Sequence, residues 1–370
     1  MVTKTPRGPI EGDRFGYDPK AKQAAAMRDL FGEMEQKAQT KTDGPEKVAK
    51  VVKSPKFSRT NKRLISAHCE IMDNGREPIT YQHTVLCQTG LPYKPVKERV
   101  LEQEQGAVSL SVEAGRAKNP ETGKWVDLPL PHGERPRLIL MHLNTEALRT
   151  NSPVVEVEGS MTAFARRLGM DTSGPSLRTL KDQLGRLSAA LVRMAVVENG
   201  RSVQVNTQIV GAFDLWFPKS EYQRVLWPSV IRLGQDYFNS LITNAVPLDE
   251  RAIAALSGTS LGLDVYAWLS QRLHRIEKRK PQRITWESLK SQFGGQYGRI
   301  EDFRKRFKPV LKQVLTVYPG STVGEWVEDG RSVGLVLHHS APPVTKRMVL
   351  LPRQGDGVTI DATPIRVAID

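Results

Sequence analysis

The 370-residue chain has little cysteine, only 6% aromatic residues and no long apolar run. Its two cysteines, Cys69 and Cys87, are too few for a disulfide framework, which favours a reducing compartment. No stretch approaches the roughly 18 apolar residues of a membrane span, and the N-terminus lacks an apolar signal segment. These absences predict a cytoplasmic protein with no membrane-spanning segment.

Motifs of catalysis and of metal binding are missing as well. The Gly294-Gly295 pair is not followed by the lysine of a phosphate-binding loop. His338 and His339 are adjacent, so on a strand they would point to opposite faces and could not hold one metal together. The cysteines and their neighbouring histidines match no common zinc spacing. We therefore predict no catalytic residue, no metal and no cofactor, and expect that the protein is not an enzyme.

Negative charge is also in short supply, since 54 Lys and Arg face 40 Asp and Glu, for a net charge of +14. The excess is segregated: residues 1–63 carry +7, residues 160–210 carry +4 and residues 271–312 carry +9, while the rest is acidic. A basic balance of this size indicates a polyanionic partner.

The stretch 160–210 has the pattern of a short helix, a turn, a longer helix and a hairpin. Ser160 is a suitable N-cap for the first helix, Gly169 is suited to end it, and Pro175 with Ser176 can open the second. Asn199-Gly200 lies between alternating apolar residues, which is a strong hairpin signal. The buried face of the second helix is predicted from leucines three or four positions apart, namely Leu177, Leu180, Leu184, Leu187 and Leu191.

A second copy of this pattern follows, without convincing residue identity to the first. Thr285 can cap a short helix, Gly294-Gly295 forms a turn, and a basic helix then buries Phe303 and Phe307. Asp329-Gly330 joins the strands of the closing hairpin.

Short runs within and around the first copy carry a family resemblance. The runs Phe164–Gly169 and Lys181–Leu184, together with Pro136–Leu140, His142–Asn144 and Glu146–Arg149, resemble the plasmid-encoded RepA replication proteins. We judge this resemblance to extend from about Tyr81 to His338. It implies a replication initiator that binds double-stranded plasmid origin DNA, opens an adjacent A·T-rich segment and recruits a helicase. A homodimer and host replication proteins are further candidate partners.

We predict an α+β fold with two winged-helix domains in tandem after a disordered basic N-terminal tail. The predicted boundaries are 1–63 for the tail with a short helix in it, 64–211 for the first domain, 212–340 for the second and 341–370 for a C-terminal tail.

Candidate DNA-binding residues lie on the two basic helices and at the two hairpins. Residues 176–193 and 304–312 are each expected to enter a major groove, with Arg201 and Arg331 on the wings reaching phosphate or the minor groove. Pro309 requires that the second helix either starts near Lys308 or kinks. The complete set is Ser176, Arg178, Lys181, Arg186, Arg193, Arg201, Arg299, Arg304, Lys305, Lys308, Lys312 and Arg331.

One partner motif is predicted in the tail. Asp29, Leu30 and Phe31 resemble the end of the pentapeptide by which replication proteins dock on the sliding clamp, although its upstream Gln and Leu are absent. Leu30 and Phe31 are thus candidate partner-binding residues, and a marginal helix without function is the alternative.

Two other functions stay open at this stage. A winged-helix transcriptional repressor would share the fold and need only operator sites. An origin-nicking or priming enzyme would need catalytic residues that the sequence does not display.

Overall fold

The computed structural model describes residues 58–73, 78–119, 122–198, 201–212 and 230–344, without the side chains of residues 198, 201–203 and 211–212. The contacts of the chain divide it between Ser58 and Arg59. Helices and strands occur together in the larger part, so the predicted α+β class is confirmed. None of the helices within the described ranges has the length and apolar character needed to cross a membrane.

Ten α-helices are found among the described residues. They are α1 Arg59–Met72, α2 Thr84–Gln88, α3 Glu134–Thr150, α4 Met161–Arg167, α5 Gly174–Ala189, α6 Gln235–Asn244, α7 Glu250–Leu256, α8 Ser260–Arg272, α9 Trp286–Phe293 and α10 Ile300–Thr316.

The described strands form five small antiparallel sheets, ordered β1-β11, β2-β3-β7-β8, β4-β5, β6-β10-β9 and β12-β14-β13. The strands are β1 Ile79–His83, β2 Val100–Gln105, β3 Val108–Glu113, β4 Arg116–Lys118, β5 Trp125–Asp127, β6 Val154–Glu156, β7 Leu191–Glu198, β8 Arg201–Thr207, β9 Val210–Ala212, β10 Val230–Leu233, β11 Ala245–Asp249, β12 Gln282–Thr285, β13 Val323–Glu328 and β14 Arg331–Leu337.

The first helix-turn-helix forms as the local signals predict. The Ser160 hydroxyl accepts a hydrogen bond from the Ala163 amide at 3.2 Å, and Gly169 takes the positive φ of 66° that ends the turn of α4. Leu180, Leu184 and Leu187 of α5 are almost fully buried in the first hydrophobic core. The hairpin after α5 is also confirmed, because residue 198 pairs with residue 201 across a two-residue connection.

Helix α5 is shorter than the sequence predicts. It ends at Ala189, Ala190 has an extended backbone, and β7 begins at Leu191. Val192 and Met194 alternate with less buried residues and pair with β3, so sheet formation overrides the continued leucine spacing. Arg193 was predicted on the helix and lies on a strand instead.

Two hydrophobic cores share helix α3. Ile139, Leu140 and Leu143 belong to the first core, whereas Leu138 and Met141 belong to the second. The second core also contains apolar residues of α1, α7, α8, α9, α10 and β14. Because adjacent residues of one helix face opposite cores, α3 is buried along most of its length.

The packing crosses the predicted domain boundary in both directions. Helix α6 lies after the predicted boundary at residue 212 but packs in the first core through Tyr237 and Leu241. Helix α1 lies before this boundary but packs in the second core through Leu64 and Ala67. Strand β1 pairs with β11 over a long sequence separation. Helix α1 begins at Arg59, five residues before the predicted start of the first domain.

A buried ion pair joins α3 to α8. Arg137 donates from Nε to Asp264 Oδ1 and from Nη2 to Oδ2, each at 2.7 Å, and both side chains are at least 93% buried. The remaining guanidinium donors reach the carbonyl oxygens of Gly133, Pro92 and Leu91. Burial alone would lower the pKa of Arg137, but the charge and hydrogen bonds of Asp264 raise it. The guanidinium is therefore charged, and each of its three nitrogens donates a hydrogen bond.

Replacing Asp264 with alanine should lower the free energy of unfolding by about 3–5 kcal/mol, because the buried guanidinium of Arg137 loses its counter-charge. The measurement is urea unfolding followed by circular dichroism. Arg149→Ala is the matched control, since Arg149 pairs with Glu146 at 2.5 Å but its side chain is 68% exposed. Removing this exposed pair should cost about 0–1 kcal/mol. Equal losses in the two variants would contradict the importance assigned to the buried pair.

Candidate nucleic-acid interface

The most basic candidate surface is built by α9, α10 and the β13–β14 hairpin. The Thr285 hydroxyl accepts from the Ser288 amide at 3.2 Å and starts α9. A Cβ on Gly294 would lie 2.6 Å from the ring of Phe303, so glycine permits the close approach of α9 and α10. The carboxylates of Glu301 and Asp302, in the first turn of α10, interact favourably with the positive end of the helix dipole. These features fix α10 against the core by the apolar side chains Phe303, Phe307, Val310, Leu311 and Val314.

Helix α10 runs without interruption through Pro309, so the alternative in which it starts near Lys308 is wrong. Proline has no N–H to donate to the carbonyl of Lys305, four residues earlier. Pro309 is exposed, which leaves that carbonyl on the side of the helix reached by water. The missing bond therefore does not create a buried unsatisfied group.

The exposed side of α10 carries three cations. At about 100° per residue, Lys305 and Lys312 lie opposite the buried phenylalanines, and we call Lys305, Pro309 and Lys312 the outer face of α10. Arg306 is exposed on the flank away from the hairpin and was missing from the predicted set. Its position on the helix would have been sufficient to find it. Among the described residues, no ion pair of Lys305, Arg306 or Lys312 with an acidic side chain is found.

Arg304 and Lys308 lie on the other flank of α10, where they contact Trp286 of α9 and, for Lys308, Glu325 of β13. The Arg304 guanidinium carbon is 5.2 Å, and the Lys308 ammonium 5.4 Å, from the ring centroid of the buried Trp286. Lys308 Nζ also donates to Glu325 Oε1 at 2.6 Å. Both cations were predicted to share the face that enters the groove, but only Lys305 and Lys312 occupy the centre of the exposed side.

Glu325 on β13 acts as a counter-charge to the basic helix. The hydrogen bond from Lys308, followed by one with Ser332, lowers the pKa of Glu325. The carboxylate therefore stays charged at neutral pH, and its pair with Lys308 is lost only when the pH falls through this lowered pKa. A phosphate that binds Lys308 therefore competes with Glu325 for the ammonium group.

The tip of the second hairpin is acidic. Asp329 and Gly330 both have positive φ, 48° and 71°, as expected for the predicted two-residue turn. Arg331 is exposed there, but it pairs in register with Glu328 and follows Asp329. Glu328 and Asp329 lower the net charge of this tip, and Arg331 stays a candidate wing contact. Arg299, at the start of α10, is exposed and lies 3.7 Å from Glu301.

On α5 the predicted residues divide between surface and structural roles. Arg178 is exposed, while Lys181 is half-buried and burial lowers its pKa. Ser176 is buried and accepts a hydrogen bond from Arg135 Nη2 at 3.3 Å. Arg186 pairs with Asp182 at 3.0 Å and donates to the carbonyl of Leu130. Ser176 and Arg186 therefore hold the helix in place, and Arg178 is the most accessible cation of the predicted set on α5.

The other predicted residues do not join these groups. Arg193 extends from the sheet and pairs with Glu113 at 3.1 Å. Arg201 begins β8, but its side chain is not among those described. Leu30 and Phe31 lie outside the described residues.

The cysteines and histidines considered for zinc are separated. Cys69 is exposed, whereas Cys87 is buried. His68 contacts the carbonyl of Thr316 at 2.7 Å, and His83 caps α2 by accepting from the Val85 amide. In the part of the chain that the structure describes, no three His, Cys, Asp or Glu residues are grouped so that they could hold a metal.

Comparison with known proteins supports the family resemblance. Residues 130–288 match the family described as "Plasmid encoded RepA protein", which confirms the resemblance predicted from the sequence over this segment. The matched residues include α3, α4, α5 and α8, and end within α9. A search of curated proteins finds no match.

Two similar solved structures are crystal structures of domains 2 and 3 of RctB. One, of selenomethionine derivatives, has a TM-score of 0.42 and 12% identity, and the alignment covers 69% of this chain and 95% of that one. The other has a TM-score of 0.45 and 11% identity, and the alignment covers 69% of this chain and 96% of that one.

Replacing Glu325 with glutamine should raise the affinity for random-sequence duplex DNA and steepen its salt dependence. The variant frees Lys308 for a phosphate, and each added phosphate contact steepens the slope of log K against log salt by about 0.9. Fluorescence anisotropy over a KCl series measures both effects. Glu104→Gln is the control, because Glu104 is exposed on β2, outside the surface built by α9, α10 and the β13–β14 hairpin, and the substitution removes the same charge. Identical slopes for the two variants would show that Glu325 does not compete with DNA.

Proposed function

We propose that this protein is a plasmid replication initiator that binds repeated origin sites sequence-specifically and promotes origin opening without catalysing a reaction itself. The observation that supports this most is the exposed basic face of α10, placed between a preceding helix and a following hairpin as in a winged-helix domain. The family match over residues 130–288 supports the assignment to plasmid replication.

In this proposal α10 lies in a major groove. Lys305, Lys312 and Arg306 contact the DNA from its exposed side, and their charge supplies phosphate binding through the release of counterions. Lys308 pairs with Glu325 of the hairpin and would reach phosphate by giving up this pair, whereas Arg304 packs on Trp286 of α9.

The first segment offers a second contact through α5, with Arg178 as its most accessible cation. Arg201 on the first hairpin is kept as a candidate wing contact. With α5 and α10 each in a separate stretch of major groove, the two segments together would contact a longer DNA site than either helix alone. Binding of several copies in phase would strain an adjacent A·T-rich segment.

Recruitment of a helicase, docking on the sliding clamp through Leu30 and Phe31, and formation of a homodimer remain proposals that accompany the initiator assignment. Each follows from the resemblance to replication proteins and not from a contact among the described residues. Clamp docking is the most direct to examine, since Leu30→Ala with Phe31→Ala should abolish capture of the purified clamp.

Lys305→Ala combined with Lys312→Ala should weaken origin binding and reduce the salt slope by about 1.8, because two phosphate contacts are lost. Both side chains are exposed, so thermal unfolding should be unchanged. Gel shifts with the cognate origin at several KCl concentrations, together with circular dichroism melting, provide the measurement.

Arg304→Ala combined with Lys308→Ala provides the comparison. Its effect on DNA binding should be accompanied by a lower melting temperature, because both cations pack on Trp286. If the Lys305 and Lys312 variant binds the origin as the wild type does, α10 is not the reading helix.

Replication assays separate the initiator from a repressor or a nicking enzyme. A plasmid carrying only the origin should replicate when this chain is supplied in trans, and should fail with Lys305→Ala and Lys312→Ala. A repressor would bind the same DNA without supporting replication. Supercoiled plasmid incubated with the protein and Mg²⁺ should remain unnicked, and metal-dependent nicking would contradict the non-enzymatic proposal.

A further inference from the structure

A small β-hairpin outside the helix-turn-helix segments forms a separate two-stranded sheet. Strand β4 pairs with β5, the amide of Asn119 donates to the carbonyl of Lys124 at 2.9 Å, and Gly123 has a φ of 64° in the connection. We call residues 116–119 and 122–127 the finger. Residues 120 and 121 in its connection are not among those described.

The base of the finger is fixed to the end of α5. A Cβ on Gly115 would overlap the backbone carbonyl of Ala189, so only glycine permits this approach. The Leu128 amide donates to the carbonyl of Gly115 at 3.0 Å, which closes the base, and Ala117 on the inner face is buried. The finger is therefore attached to α5 at a fixed position.

The outer face of the finger presents an aromatic ring to solvent. Directly paired residues project from the same face of a sheet, and the register pairs Lys118 with Trp125 and Arg116 with Asp127. These four side chains therefore share the face opposite Ala117. Trp125 is 59% exposed, although an indole ring ordinarily contributes stability by burying a large apolar area.

Two cations adjoin Trp125 in the hairpin, since Lys118 is its partner in register and Lys124 precedes it in the chain, and the neighbouring carboxylate is already neutralised. Asp127 Oδ1 lies 2.9 Å from Arg116 and 3.5 Å from Arg99, so one carboxylate is shared by two guanidinium groups. Lys118 and Lys124 are exposed, and no side-chain ion pair of either is found within the described residues. The surface thus combines one accessible aromatic face with excess positive charge.

We propose that the finger binds unpaired single-stranded DNA. An exposed aromatic ring can stack on the flat face of any base, and cations beside it can contact the backbone phosphates of the same strand. Bases in a duplex are stacked on each other and offer no free face, so the ligand must be unpaired. Trp125 would stack on one base, while Lys118 and Lys124 contact phosphates. The choice of DNA over RNA rests on the proposed function.

The test compares full-length wild type with Trp125→Ala on fluorescein-labelled dT20 by fluorescence anisotropy. The dissociation constant for the single strand should rise about 5- to 150-fold in Trp125→Ala, in line with the loss of one base–aromatic stack. Trp125→Phe should retain most of the affinity, because a smaller ring still stacks. Binding to origin duplex should change less than about twofold, since α5 and α10 are untouched.

Two further variants complete the test. Lys118→Ala with Lys124→Ala should reduce the salt slope for dT20 by about 1.4, at about 0.7 for each phosphate on a single strand. This pair also keeps the proposal open to refutation if Trp125→Ala fails to fold. Val197→Ala is the matched control, because Val197 is a large apolar residue, 48% exposed, on β7. It should bind dT20 as the wild type does.

Several results would overturn the proposal. These are wild-type affinity of Trp125→Ala for dT20, equal losses on single strand and duplex, tighter binding of rU20 than of dT20, or a change in sedimentation coefficient caused by Trp125→Ala, which would indicate a protein partner. The proposed function fails separately. If the wild-type protein does not bind origin duplex but does bind dT20 in a manner that depends on Trp125, the initiator proposal is refuted and the finger proposal stands.

Discussion

The pair formed by Arg137 and Asp264 is the contact on which the arrangement of the described residues depends. It joins α3, whose faces contribute to both hydrophobic cores, to α8 in the second core. Burying two charges is costly, and the cost is offset here because the guanidinium is also hydrogen-bonded to three backbone carbonyls. A pair satisfied in this way tolerates little displacement, so the two helix-turn-helix segments are held in one relative orientation.

Local chemistry made much of the fold predictable. The hydroxyls of Ser160 and Thr285 cap the helices that the sequence assigns to them, and Gly169 adopts the backbone conformation that ends a helix. In each of these cases the determining interaction lies within a few residues of the signal. That is why the order of helices, turns and hairpins could be obtained from the sequence.

Interactions between distant residues account for the errors. The pairing of β7 with β3 ends α5 before Arg193, and the pairing of β1 with β11 brings segments together that lie on opposite sides of the predicted boundary. At the candidate site, helical spacing located the basic face of α10. Spacing could not reveal that Arg304 packs on Trp286 or that Lys308 pairs with Glu325, because neither partner is near its cation in the sequence. Spacing alone therefore identifies an interface better than it identifies the residues that make contact.

The glycine at the base of the finger has a consequence for the DNA that such a protein could serve. Because Gly115 touches the Ala189 carbonyl without room for a side chain, the distance between α5 and Trp125 is set by the polypeptide and cannot be adjusted. If α5 sits on a duplex while Trp125 stacks on a melted base, the protein measures a spacer of fixed length. Origins with nucleotides inserted between the bound repeat and the melted segment would then have to loop out the extra length.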